Sequence, residues 1–204
     1  MHWVVEPDWR GDTVVIVAGG PSVTLSQVRA IGLARAGASI KVVAINDAIY
    51  PCWFADIGYA CDTAWWRHHG GLPGFAGRRV SLDDCGIDGV DFLINTGTQG
   101  FDPAPGCLRS GGNSGYQALH LCAHLGADRV VLIGFDMRGS HWFGEHPPAI
   151  RRIAPNMRNR IERFHELGAV LAARGIDVVN ATPGSALTGF RVGDLELELS
   201  RSTK

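Results

Sequence analysis

The sequence predicts an α/β fold: a Rossmann-like, doubly wound, mostly parallel sheet with a short lid loop. Three observations predict it. Short β-branched runs alternate with helical stretches, the pattern of strands covered by helices. The clearest runs are continuously apolar, as strands buried on both faces require. Glycine or polar residues follow strand after strand, where open parallel sheets place their ligands.

The first strand is Thr13-Val14-Val15-Ile16-Val17-Ala18, broken by Gly19-Gly20-Pro21-Ser22. Val23 to Ala36 then reads as a helix ending near Gly37, where glycine suits a helix C-terminus. Ile40 to Ile45 is a second strand ending at Asn46-Asp47, and Ile57 to Cys61 a third ending at Asp62. A short helix over Ala64–His69 and two weaker strands near Arg79–Leu82 and Phe92–Asn95 follow. The Gly- and Pro-rich stretch from Thr96 to Gly112 reads as a loop. Asn113 or Ser114 caps the next helix, which runs to Leu125 before Gly126. Arg129 to Ile133 is the clearest later strand and ends at Gly134-Phe135-Asp136. Beyond a polar loop from Met137 to Pro148, Pro155–Arg174 carries Met157, Ile161, Phe164, Leu167 and Leu171 at helical spacing. Ile176 to Asn180 is the last strand. The 204 residues therefore read as one domain, 1–204, with a lid or insertion at about 137–160.

Composition narrows the function classes. Residues are 46% apolar and 19% charged, enough for a full core and unlike a disordered chain. A formal charge of −1 supplies no global field to recruit nucleic acid or an anionic membrane. No apolar run approaches the roughly 18–20 residues that span a bilayer. The opening Met1-His2-Trp3-Val4-Val5 lacks the basic and apolar regions of a secretory signal, so a cytoplasmic location is expected. Five cysteines, an odd number with no C-x-x-C pair, argue against a disulfide framework or a zinc knuckle.

Five places can carry chemistry. At Gly19-Gly20-Pro21-Ser22, backbone amides and a following helix start can approach an anion, and Ser22 can cap the helix or donate to a phosphate. The turn is neither a P-loop nor a G-x-G-x-x-G fingerprint, and a tight structural turn explains it equally well. Asn46 and Asp62 end successive strands and belong on one rim. Gly111-Gly112-Asn113-Ser114-Gly115 repeats the glycine-lined helix start, so two anion-ready openings suit a phosphate or diphosphate. The loop from Asp136 to Pro147 gathers His141, His146, Asp136, Glu145 and Arg138, a set suited to acid/base chemistry near neutral pH. Its spacing fixes no metal polyhedron, which leaves a divalent metal open. His120 and His124, one helical turn apart among apolar neighbours, read as packing. Arg151, Arg152, Arg158, Arg160 and Arg163 read as a solvated face or as a grip on a phosphorylated or nucleic-acid substrate.

In this order the motifs resemble a superfamily containing bacterial sialyltransferases of lipooligosaccharide synthesis, motility-accessory (flagellin-glycosylation) proteins and MptE-like hydroxymethylpterin diphosphokinases. The matching pieces are Val17–Ser22, Ala44-Ile45-Asn46, Asn113-Ser114-Gly115, Leu132-Ile133-Gly134-Phe135-Asp136 and Thr182-Pro183-Gly184-Ser185-Ala186-Leu187, spread over residues 13–190. The His141–Pro147 loop looks most like phage-borne relatives. The resemblance implies donor-phosphate contacts at Gly20, Ser22, Asn46 and Ser114, and nucleotide-end contacts around Pro183 and Ser185. The chain departs from the sialyltransferases in having Gly19 where they have Asn, Arg138 and His141-Trp142 where they have tyrosines, and a shorter lid.

The expected function is a transferase using a nucleotide-activated sugar or a related nucleotide donor. His141 or His146 would serve as acid/base, oriented by Asp136 or Glu145. Gly19, Gly20, Ser22, Asn46, Asp62, Asn113, Ser114, Pro183 and Ser185 would bind the donor. The acceptor (glycan, protein or DNA) stays open, and an oligomer is possible. Two alternatives remain: a Mg-dependent MptE-like diphosphokinase with Asp62 or Asp136 near the metal, and a non-catalytic nucleotide- or sugar-binding phage protein.

Overall fold

The computed structural model describes residues 1–37, 39–144 and 156–202. Its strands are β1 (Thr13–Val17), β2 (Ile40–Ile45), β3 (Ile57–Tyr59), β4 (Arg78–Leu82), β5 (Asp91–Asn95), β6 (Cys107–Leu108), β7 (Arg129–Ile133), β8 (Asp177–Asn180) and β9 (Arg191–Val192). Its helices are α1 (Leu25–Gly37), α2 (Thr63–His68), α3 (Ser114–His124), α4 (Met157–Ala172) and α5 (Leu195–Ser200). The strands form one sheet in the order β6-β5-β4-β3-β2-β1-β7-β8-β9. Every pairing in it is parallel, so the sheet is wholly rather than mostly so.

β1 is the centre. All five of its residues are buried, and Val17 at its end lies in register with Ala44 of β2 and Ile133 of β7. Because successive side chains alternate faces, Val14 and Ile16 join one core and Val15 and Val17 the other. The first core takes Leu119, Leu121 and Cys122 of α3 with Phe164, Leu167 and Leu171 of α4. The second takes Val28 and Ile31 of α1, Trp65 and Trp66 of α2, and Leu195 and Leu199 of α5. Helices thus cover both faces, the doubly wound arrangement. Among the described residues no helix is long and apolar enough to cross a membrane.

Several boundaries differ from expectation for physical reasons. α1 starts at Leu25, not Val23, because Thr24 and Gln27 form a reciprocal capping box. Thr24 Oγ1 accepts the Gln27 N–H at 3.2 Å, and the Thr24 N–H donates to Gln27 Oε1 at 2.9 Å. The expected loop before α3 holds β6, and β9 with α5 follows the last expected strand. β6 and β9 have two residues each, too few to show a period of their own. Asn156 caps α4 through its side chain, so that helix begins at Met157; Pro155 lies outside the described residues.

Candidate functional site

The strand order turns round between β1 and β7: the chain moves from β1 toward β2 on one side and from β7 toward β8 on the other. Crossovers on opposite faces diverge there and leave a crevice beyond the strand ends. The crevice is a cleft of about 1040 Å³, bounded by the ends of β1 to β5 and β7, the start of α3, the first turn of α4 and the loop after β7.

Gly19, Gly20, Asn46, Asp62, Asn113, Ser114, Asp136 and His141 all line this cleft. Ser22 is one hydrogen bond removed: its hydroxyl donates to Asp136 Oδ2 at 2.9 Å. It does not cap α1, whose cap is Thr24. Pro183 and Ser185 are not in the lining. The Ser185 hydroxyl donates to the Phe135 carbonyl at 2.6 Å and accepts the Leu187 N–H at 3.0 Å, which closes its own turn. That turn meets the cleft indirectly, because Gly184 lies so close to the cleft-lining Arg138 that an added Cβ would stand 2.6 Å from Nη2. Glu145 and His146 lie outside the described residues.

The two glycine-lined turns differ. A Cβ on Gly20 would fall 2.0 Å from Asp136 Oδ2 and 2.3 Å from the Gly134 carbonyl oxygen, which the Gly20 N–H already meets at 2.9 Å. Gly20 is therefore required by the contact between the ends of β1 and β7, whatever binds there. The buried Asp136 carboxylate also places negative charge against this turn. Over Gly19 fold His141 and Phe143, whose rings stack at 4.8 Å and 9°, while the Trp142 N–H donates to the Gly19 carbonyl at 3.0 Å. The loop after β7 is thus tied to the end of β1.

At α3 the cap is Asn113, not Ser114. Asn113 Oδ1 accepts the N–H groups of Gly115 at 2.7 Å and Tyr116 at 3.3 Å. The Ser114 hydroxyl and N–H take no partner among the described residues and line the cleft. A helix N-terminus carries partial positive charge, so these donors suit an anion. Arg138 and Arg160 add cationic side chains to the lining.

The rim also carries acid and strain. Asp62 and Asp83 follow β3 and β4, and Asn95 ends β5. Beneath them, burial first and then the neighbouring charges of Asp83 and Asp62 hold the Tyr59 phenol protonated, well above its ordinary range. Its hydroxyl donates to Gln117 Oε1 at 2.8 Å, and Gln117 reaches on to the Ser110 carbonyl at 2.7 Å. Among the described residues four non-glycines have positive φ, and three of them, Asn46 (51°), Asp83 (62°) and Met137 (53°), line the cleft. Left-handed backbone costs roughly 1–2 kcal/mol per residue, so this rim is held by the surrounding fold, as functional loops often are.

Asp83, Asn95 and Gln117 were not legible as site residues. For Asp83 and Asn95 the signal available was the one that points to Asn46 and Asp62, a polar residue at a strand end, and the expected ends at Leu82 and Asn95 are those of β4 and β5; Gln117, inside α3, carries no such signal. Among the described residues no three His, Cys, Asp or Glu side chains converge as a metal cluster. His120 and His124 are packing residues, as their neighbours indicate: their Nε2 atoms meet the carbonyls of Asp102 at 3.1 Å and Cys107 at 3.0 Å. No protein-family model matches the chain, and no curated protein matches it.

Proposed function

We propose that the chain is a transferase that holds a nucleotide-activated sugar in the cleft between the ends of β1 and β7. The observation that carries this reading is the convergence of Asn46, Asp62, Ser114, Asp136 and His141 on one cavity at the point where the sheet reverses. The lining has two characters. Open donors at the start of α3, with Arg138 and Arg160, suit the donor's phosphates. Asp62, Asp83, Asn46 and Asn95 are acceptors for hydroxyl groups, as on a sugar or a ribose. His141, exposed on the loop that covers Gly19, is the candidate base for an acceptor hydroxyl. The same motifs that resemble the sialyltransferase, motility-accessory and MptE-like superfamily support the reading.

This proposal puts the phosphates at Ser114 rather than at Gly20 and Ser22, since the Asp136 carboxylate repels an anion there. Thermal-shift titration with CMP-, UDP-, GDP-, ADP- and dTDP-sugars, with magnesium and with chelator, tests it. One nucleotide class should raise the melting temperature, and His141→Ala should keep that binding while turnover falls roughly 100-fold or more. A chain stabilised by none of the five is not a nucleotide-sugar transferase. Stabilisation by ATP that requires magnesium would move the assignment to a diphosphokinase, whose metal needs only one or two carboxylates beside the phosphates.

A further inference from the structure

Just outside the cleft wall, Asp47, Tyr50 and His69 form a second constellation. The Tyr50 hydroxyl is hydrogen-bonded to His69 Nδ1 at 2.5 Å, and His69 Nε2 faces Asp47 Oδ1 at 3.7 Å. Asp47 Oδ2 also accepts the Trp65 indole N–H at 3.3 Å, and the Trp65 ring lies 4.2 Å from that of His69. Trp65 lines the cleft, as does Asn46, which directly precedes Asp47, so the constellation and the cleft share a wall. His69 and Asp47 are largely covered, their side chains 12% and 18% exposed, while Tyr50 is 46% exposed. Tyr59 and Tyr116, the other two tyrosines, are fully buried. A nucleophile within hydrogen-bond reach of a base, with that base facing a carboxylate, is the arrangement that activates a hydroxyl.

We propose that Tyr50 is an acceptor on the protein itself: its oxygen, activated by His69 and Asp47, takes the glycosyl group of a nucleotide sugar. This rests on the transferase reading above and adds an acceptor on the chain itself, for which His69 rather than His141 is the base. In the step, Tyr50 Oη bonds to the anomeric carbon as the bond from that carbon to the donor phosphate oxygen breaks. The electron pair leaves on the departing nucleotide phosphate. The phenolic proton passes to His69 Nδ1, and Asp47 offsets the imidazolium charge. A base is needed, because burial and the Asp47 charge raise the Tyr50 pKa and keep the phenol protonated near neutral pH.

Intact-mass measurement and peptide mapping of the full chain, after incubation with each of the five nucleotide-sugar classes, tests this. One class should add a glycosyl mass on Tyr50, Tyr50→Phe should abolish it, and His69→Gln and Asp47→Asn should slow it, the first roughly 100-fold. An arylsulfonyl fluoride, which needs no nucleotide site, gives a parallel readout: it should label Tyr50 in the wild type and far more slowly in His69→Gln. A nucleotide sugar that raises the melting temperature without ever adding mass at Tyr50 overturns the proposal and leaves the transferase reading standing. Equal labelling of wild type and His69→Gln overturns it too. Absence of binding by all five classes removes both readings together.

Discussion

At the end of β1, Gly20 is wedged between the Gly134 carbonyl and the Asp136 carboxylate, and the Ser22 hydroxyl donates a hydrogen bond to that same carboxylate. Before α3, an added Cβ on Gly112 would meet nothing closer than the tip of Arg163 at 3.2 Å, and Ser114 keeps its donors for the cleft. Both turns are glycine-lined, carry a serine and follow the same local logic in sequence. One is consumed in joining two central strands; the other packs Gly111 against Tyr116 and Gly115 against Phe135 but leaves Gly112 and Ser114 facing the cleft. The difference teaches that glycine in a ligand-side turn marks close approach, and only the third dimension says whether chain or ligand does the approaching.

The sharpest way to break that contrast is to add one methyl group to each turn. Gly20→Ala puts Cβ into backbone and carboxylate that have no room to yield, and should lower unfolding free energy by more than about 3 kcal/mol. Gly112→Ala, with φ of 65° and only the Arg163 tip within reach at 3.2 Å, should cost about 1 kcal/mol, the left-handed penalty alone. Urea denaturation of the two variants measures both. Similar losses would mean that the turns are equivalent after all.

A second prediction concerns what anchors α3 behind its open end. His120 is fully buried; Nε2 meets the Asp102 carbonyl, and Nδ1 accepts the Arg109 N–H at 3.3 Å. A proton on Nδ1 would face another donor in place of an acceptor. Burial above all pushes the His120 pKa down, to about 4 from an ordinary 6.5. The unfolded chain therefore takes up the proton first on acidification. The stability from this site is full above pH 6.5, falls as pH drops from 6.5 towards 4 and levels off below. The loss is about 3 kcal/mol across that window. His124, also pushed down mainly by burial, acts in the same direction. Urea midpoints at pH 7, 5.5 and 4.5 measure the slope. Flat stability between pH 6.5 and 5, where carboxylates stay ionised, would contradict it.

The contrast also explains what the sequence could and could not tell. The apolar runs Val14–Val17, Val42–Ile45 and Val130–Ile133 of β1, β2 and β7 are buried throughout, so the doubly wound sheet was legible, and with it the rim where Asn46, Asp62, Asp136 and His141 meet. Parallelism made the rim common to every strand end. The two-residue β6 and β9 were not legible, because two residues show no period of their own. Nor was the use of each polar group. Ser22 and Ser114 are both serines after glycines, yet only their partners separate them: Asp136, 114 residues away, claims the first, while Asn113, next in the chain, caps the helix and frees the second. The bond from Ser185 to the Phe135 carbonyl, 50 residues away, likewise leaves no local trace.

The smallest expected effect on stability divides the two serines. Ser22→Ala strips the hydrogen-bond donor from Asp136, a carboxylate only 5% exposed, and should destabilise by about 1–3 kcal/mol. Its effect on nucleotide-sugar binding should be slight. Ser114→Ala removes a hydroxyl that bonds to none of the described residues, and alanine is a better helix former, so stability should change by less than about 0.5 kcal/mol. If the donor's phosphates sit at the start of α3, the same change deletes a hydrogen bond to a charged group and should weaken binding roughly 10-fold or more. Titration of both variants with the nucleotide sugar that stabilises the wild type separates the two roles. A Ser114→Ala chain that binds as tightly as the wild type would move the phosphates away from α3, toward Arg138 and Arg160. It would leave that helix start as open in function as it is in geometry.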